Sequence, residues 1–184
     1  MSIDLSHFVW PTSFSNTIVT ENIVIPNSYN LKFSISPISP RDGDVSMGFK
    51  KMKYFSERRL MNSVFIGKDS PILPNIGLIE NNKVIFPTEP SDFYLGAVLF
   101  CKFITITRRY FHIDFMTIDS MVGDRVQYTL RDPSDCDLDL SGDYWWNMDT
   151  TYTGSGKDTA WADADLIDRP GLNLKVVEGG RIED

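Results

Sequence analysis

A chain of 184 residues with 42% hydrophobic and 23% charged content can bury a core without disulfides or metals and lies away from the disordered regime. Its formal net charge is −7, unevenly placed: residues 1–130 hold 13 Lys+Arg against 12 Asp+Glu, and residues 131–184 hold 5 against 13. That asymmetry argues against nucleic acid as a partner of the last third and favours a cationic partner surface, a cation or plain solubility.

In chain order, residues 1–16 mix Pro, Ser and isolated aromatics. They lack the basic and long apolar regions of a secretory signal and suggest an extended arm whose Phe8, Trp10 and Phe14 dock elsewhere. "TIVTENIVI" (17–25) is β-branched and "YNLKFSISPI" (29–38) alternates Leu31, Phe33 and Ile35 with polar neighbours, so two strands joined by a turn at Pro26 are expected. After a Pro, Gly and Asp loop at 39–44, Phe49, Met52, Phe55 and Leu60 fall near a 3.6 spacing. They predict an amphipathic helix over about 47–62. "SVFIG" (63–67) suggests a short strand, and Asn81 and Asn82 in "LIENNKVIF" (78–86) have the chemistry of a tight hairpin.

The run from Phe93 to Ile106 is apolar on nearly every face. With Thr88 as cap, Glu89 and Asp92 at the positive end of the dipole and Pro90 in the first turn, it predicts a central buried helix over about 89–106. No stretch reaches the ~18 apolar residues needed to cross a bilayer, so a cytoplasmic protein is expected. "YFHIDFMTID" (110–119) and "DRVQYTL" (124–130) alternate and predict a hairpin with one buried and one wet face. Residues 131–159 lack period and form a loop far longer than most connections. "TAWADADLID" (159–168) has the pattern of a helical turn or two, "LNLKVVE" (172–178) that of a last strand, and 179–184 that of a mobile tail. The expected fold is α+β: a mainly antiparallel sheet packed on the 89–106 helix, in one domain spanning 17–178.

The 132–149 stretch, "DPSDCDLDLSGDYWWNMD", concentrates the functional candidates. Asp135, Asp137 and Asp139 have the alternation of a calcium loop, but Leu140 stands where glycine belongs and Trp146 where a bidentate glutamate belongs, so no metal site is expected. As a recognition surface for a basic protein, Asp135, Asp137, Asp139, Asp143 and Asp149 would supply charge, and Tyr144, Trp145 and Trp146 rigid contact area. The competing explanation pins the tryptophans in the core and leaves the aspartates to solvent. Because side chains alternate in an extended chain, one tryptophan is expected inside and the other outside.

Lys50, Lys51, Lys53, Arg58, Arg59, Arg108 and Arg109 form a basic cluster, but an acidic chain disfavours strong nucleic-acid binding. Cys101 and Cys136 have no cysteine or histidine nearby to suggest zinc or redox chemistry. His112 beside Asp114 on a strand is the one acid–base pair, more often a surface ion pair than a catalytic one. "TGSGKDTAW" (153–161) lacks phosphate-loop spacing. The sequence therefore favours a non-catalytic protein–protein module without cofactor: an acidic inhibitor or immunity-type protein covering a basic nuclease or toxin. A subunit of a larger assembly such as a phage particle, and a small enzyme using His112 and carboxylates, are the alternatives.

Overall fold

The computed structural model describes residues 8–21, 23–38, 42–76, 83–122, 126–135 and 138–149. Its fold is α+β. Strands β1 (Phe8–Thr20), β2 (Ile23–Pro37), β3 (Val64–Gly67), β4 (Lys83–Phe86), β5 (Phe111–Ser120) and β6 (Tyr128–Leu130) form one sheet in the order β4-β3-β1-β2-β5-β6. β1 with β2, β2 with β5 and β5 with β6 are antiparallel, whereas β3 runs parallel to both β1 and β4. The helices are α1 (Asp42–Phe55), the single turn α2 (Leu73–Ile76) and α3 (Asp92–Thr107).

The segment expected to be an arm is strand from Phe8 onward, and the strands expected to join at Pro26 join instead between the paired Thr20 and Ile23. Both differences come from prolines lying within strands. Pro has no N–H to give, so it suits positions paired on one side only. β3 meets β1 only at Thr17–Val19, which leaves Pro11 beside β2 alone, and β5 meets β2 only from Tyr29 onward, which leaves Pro26 beside β1 alone.

One face of the sheet holds the core. Phe14, Tyr29, Leu31, Phe33, Met116 and Ile118 are buried beneath α3 and α1, as the two-residue period of the strands requires. A smaller cluster of Val19, Val64 and Ile66 packs with Ile72 and Leu73. The shorter strand β6 keeps the predicted pairing with β5, setting Leu130 opposite Met116.

α3 is buried along most of its length, including Leu95 to Phe103. It starts later than the sequence pattern suggests: Ser91, not Thr88, is the N-cap and accepts from the Tyr94 amide. Pro90 disfavours helical backbone at Glu89, so the helix cannot begin before it. α1 ends at Phe55 and gives way to a π turn, Ser56–Leu60, keeping Met52, Phe55 and Leu60 fully buried. The residues before Lys83 that would complete a hairpin at Asn81 and Asn82, and everything after Asp149, lie outside the described residues.

The buried Tyr29 hydroxyl donates to the Asp92 carboxylate at 3.2 Å. Burial, and then the Asp92 charge, push its pKa far above 10.0. A raised folded-state pKa contributes stability that is complete below the unfolded value and lost as pH rises above it. Denaturant titrations should therefore show wild-type stability falling above pH ~10 by up to about 1.4 kcal/mol per pH unit from this group. Tyr29→Phe should show a shallower alkaline decline.

Candidate recognition site

Residues 138–149 are held against the core by the residues expected to display them. A 3-10 turn, Trp145–Asn147, breaks the extended geometry on which the inside–outside assignment of the tryptophans rested. Both are buried, Trp146 completely. Trp145 Nε1 donates to the Ile85 carbonyl and Trp146 Nε1 to the Leu140 carbonyl, each at 3.0 Å. Trp145 meets the Phe86 ring edge-on at 5.9 Å, and the two indoles meet at 5.4 Å and 83°.

Beneath this turn lies Lys102, the only cation in the apolar run of α3 and itself 0% exposed. Its ammonium donates to the carbonyls of Trp145 at 2.9 Å and Met148 at 2.8 Å. It also lies 5.8 Å from the Phe55 ring and 5.9 Å from the Trp145 ring. A buried ammonium needs oxygen acceptors or aromatic faces, and this turn supplies both. The lone lysine in "LFCKFITIT" was the available sequence signal, but nothing in the sequence named its acceptors.

The aspartates divide by task. Asp132 accepts from the amide and hydroxyl of Ser134, and Asp139 from those of Ser141. Each carboxylate thus closes a local turn. Asp149 lies within 3.9 Å of Lys51, Arg108 and Arg109, so it neutralises part of the basic cluster rather than presenting charge outward. Asp143 is exposed, Asp135 belongs to a 3-10 turn, and Asp137 and Cys136 lie outside the described residues.

Hydrogen bonds from Ser134, backbone first, hold the Asp132 pKa below its ordinary 3.8, and those from Ser141, hydroxyl first, do the same for Asp139. A depressed folded-state pKa gives stability that is present above the unfolded value and lost as pH falls through the folded one. Wild-type stability should therefore drop below pH ~4, and Asp139→Ala should make the acid decline shallower in urea titrations at stepped pH.

What remains outward is an aromatic groove of about 380 Å³ between this loop and β4, lined by Tyr144, Trp145, Met148, Ile85, Pro87 and Asp143, among others. Tyr144 stacks on Trp146 at 4.4 Å and 15°, while staying 38% exposed, with Met148 43% exposed. Of the expected contact residues, the structure thus brings Asp143, Tyr144, Trp145 and Trp146 to one groove. Lys68, Ile85 and Pro87, which the sequence did not single out, complete it.

His112 is exposed and, among the described residues, makes no hydrogen bond or ion pair to Asp114. Asp114 sits beside the bulge that offsets β2 from β5, and it accepts from Ser34 and Ser36. No group of three His, Cys, Asp or Glu side chains suited to a metal occurs among the described residues, and none of their helices is long and apolar enough to cross a membrane. A scan against models of protein families gave no match, and a search of curated proteins gave none either.

Proposed function

We propose that this chain is a non-catalytic protein–protein interaction module, an acidic inhibitor or immunity-type protein that covers a basic partner such as a nuclease or toxin. The supporting observation is the aromatic groove, in which Tyr144 is exposed yet already fixed by stacking on a fully buried Trp146. An anchor held before binding loses little side-chain entropy when a partner arrives. Exposed Asp139 and Asp143 on an acidic chain add attraction for a cationic surface and speed encounter.

A second reading, an accessory subunit of a larger assembly such as a phage particle, is favoured by exposed Ile23, Val24, Met121 and Val122, apolar side chains that another subunit would bury. For the enzymatic alternative, His112→Ala should leave the chain folded and its cellular function unchanged, scored by complementation of a deletion strain. Loss of function in that folded variant would restore catalysis.

The test of the leading reading is capture by the tagged chain from its source cells, at about 50 and about 500 mM salt. A stoichiometric basic protein at low salt that is lost at high salt is the expected result. An acidic or salt-insensitive partner, or several copies of a subunit, would overturn the inhibitor reading.

A further inference from the structure

Pro87 of the aromatic groove also lines a second depression, of about 290 Å³, and Glu89 lines both the second and a third, of about 320 Å³. The three follow one another along the connection from Ile85 to Asp92, which runs "IFPTEPSD". Pro87 and Pro90 fix their own backbone angles, so the wall shared by all three is stiff.

Charge changes along this line. Lys68 and Asp143 lie at the aromatic end. The second depression has Glu21, Asp69 and Glu89, the third Glu89 and Asp92, and among the described residues no lysine, arginine or histidine lines either. Two of these carboxylates are oriented from within the fold. Glu89 accepts from the Glu21 amide, while Asp92 accepts from Tyr29 and, at 2.7 Å, from the Ser120 hydroxyl. Ile18, Ile25 and Val122 give the third depression aliphatic walls. Carboxylates fixed beside aliphatic surface match the two parts of a lysine or arginine side chain, a charged head on an apolar stem.

We infer that the three depressions form one track for an extended basic segment of a partner protein, which places an apolar side chain in the aromatic groove and lysine or arginine side chains against Asp69, Glu89 and Asp92. The inference rests on the aromatic groove being a recognition surface and adds the chemistry and direction of what it recognises. Lys68 disfavours cations at the aromatic end, so the basic residues lie toward Asp92. Eight extended residues cover at most about 29 Å, which bounds the segment that the Ile85–Asp92 wall can guide.

The test is selection of phage-displayed random peptides, longer than the track, on the full chain. The best sequence is then titrated as a synthetic peptide against wild type, Tyr144→Ala, and the double variant Glu89→Gln/Asp69→Asn, each with wild-type melting temperature. Enriched peptides should carry an aromatic, leucine or methionine and two or more Lys/Arg within about eight residues of it. Each variant should weaken binding by about tenfold or more. Binding that needs Tyr144 but ignores Glu89 and Asp69 would overturn the track and leave the aromatic groove standing. Binding indifferent to all three, or no enrichment, would remove both. Spermine binding as tightly as the peptide would overturn the assignment to a protein segment.

Discussion

Trp146→Ala is expected to cost about 3–5 kcal/mol, the range for deleting a large aromatic from a closed core. For a chain of this length that corresponds to a fall in melting temperature of about 6–20 °C. The indole is 0% exposed and packs against Tyr144 and Trp145. Its lost hydrogen bond adds little, because the Leu140 carbonyl keeps a second donor in Asn147 Nδ2 at 2.9 Å. The cost is therefore one of cavity and apolar burial. Tyr144→Ala, next to it but 38% exposed, should cost under about 1 kcal/mol. Calorimetry of the pair checks this, and equal losses would mean that Trp146 is not a core residue. The contrast also guides any binding experiment, since a Trp146 variant confounds unfolding with loss of contact and a Tyr144 variant does not.

Lys102→Met is expected to cost about 1–3 kcal/mol, through a different mechanism. Methionine fills much of the same space and removes a buried charge, and replacing buried charges with apolar groups can be neutral or stabilising when both partners are replaced. Here the partners are main-chain carbonyls of Trp145 and Met148, which no side-chain substitution removes. The Trp145 carbonyl keeps the Met148 amide as a donor at 3.3 Å, so the loss falls on the Met148 carbonyl, and one buried acceptor left without its donor costs about 1–3 kcal/mol. The loss should be local as well as global: amide hydrogen exchange should accelerate around 144–148 more than in β2. Wild-type stability and exchange in the Met variant would mean that packing alone holds the turn.

Much of the architecture was legible because it follows from repeat patterns. The two-residue alternation in Leu31–Ile35 and the apolar run of α3 name faces directly, and those faces are buried. In β5 the alternation that sets Phe111, Ile113 and Phe115 inside holds only to the bulge at Asp114, after which Met116 and Ile118 are the buried residues and Phe115 is not. What misled were residues whose local reading depends on neighbours far along the chain. Pro11 and Pro26 suggest a break only if both sides of a strand are paired, and pairing is a property of the sheet. The parallel β1–β3–β4 edge involves strands of three or four ladder positions, too short to show a period.

At the candidate site the sequence located the right stretch but not the division of labour within it. Alternation placed one tryptophan outside, and the 3-10 turn buries both. Six aspartates from 132 to 149 suggested one acidic surface. Two of them instead close turns, and Asp149 meets Lys51, Arg108 and Arg109. That convergence joins residues about 40 and 100 positions apart, and no local pattern encodes it.

The most direct test of the account is isotope-ratio capture from the source cells, comparing tagged wild type with a Tyr144→Ala/Asp143→Asn variant of matched melting temperature. A basic protein recovered with wild type and depleted about tenfold or more with the variant is the predicted result. Equal recovery of every protein by the two chains would contradict the claim that the groove beside Tyr144 recognises a partner.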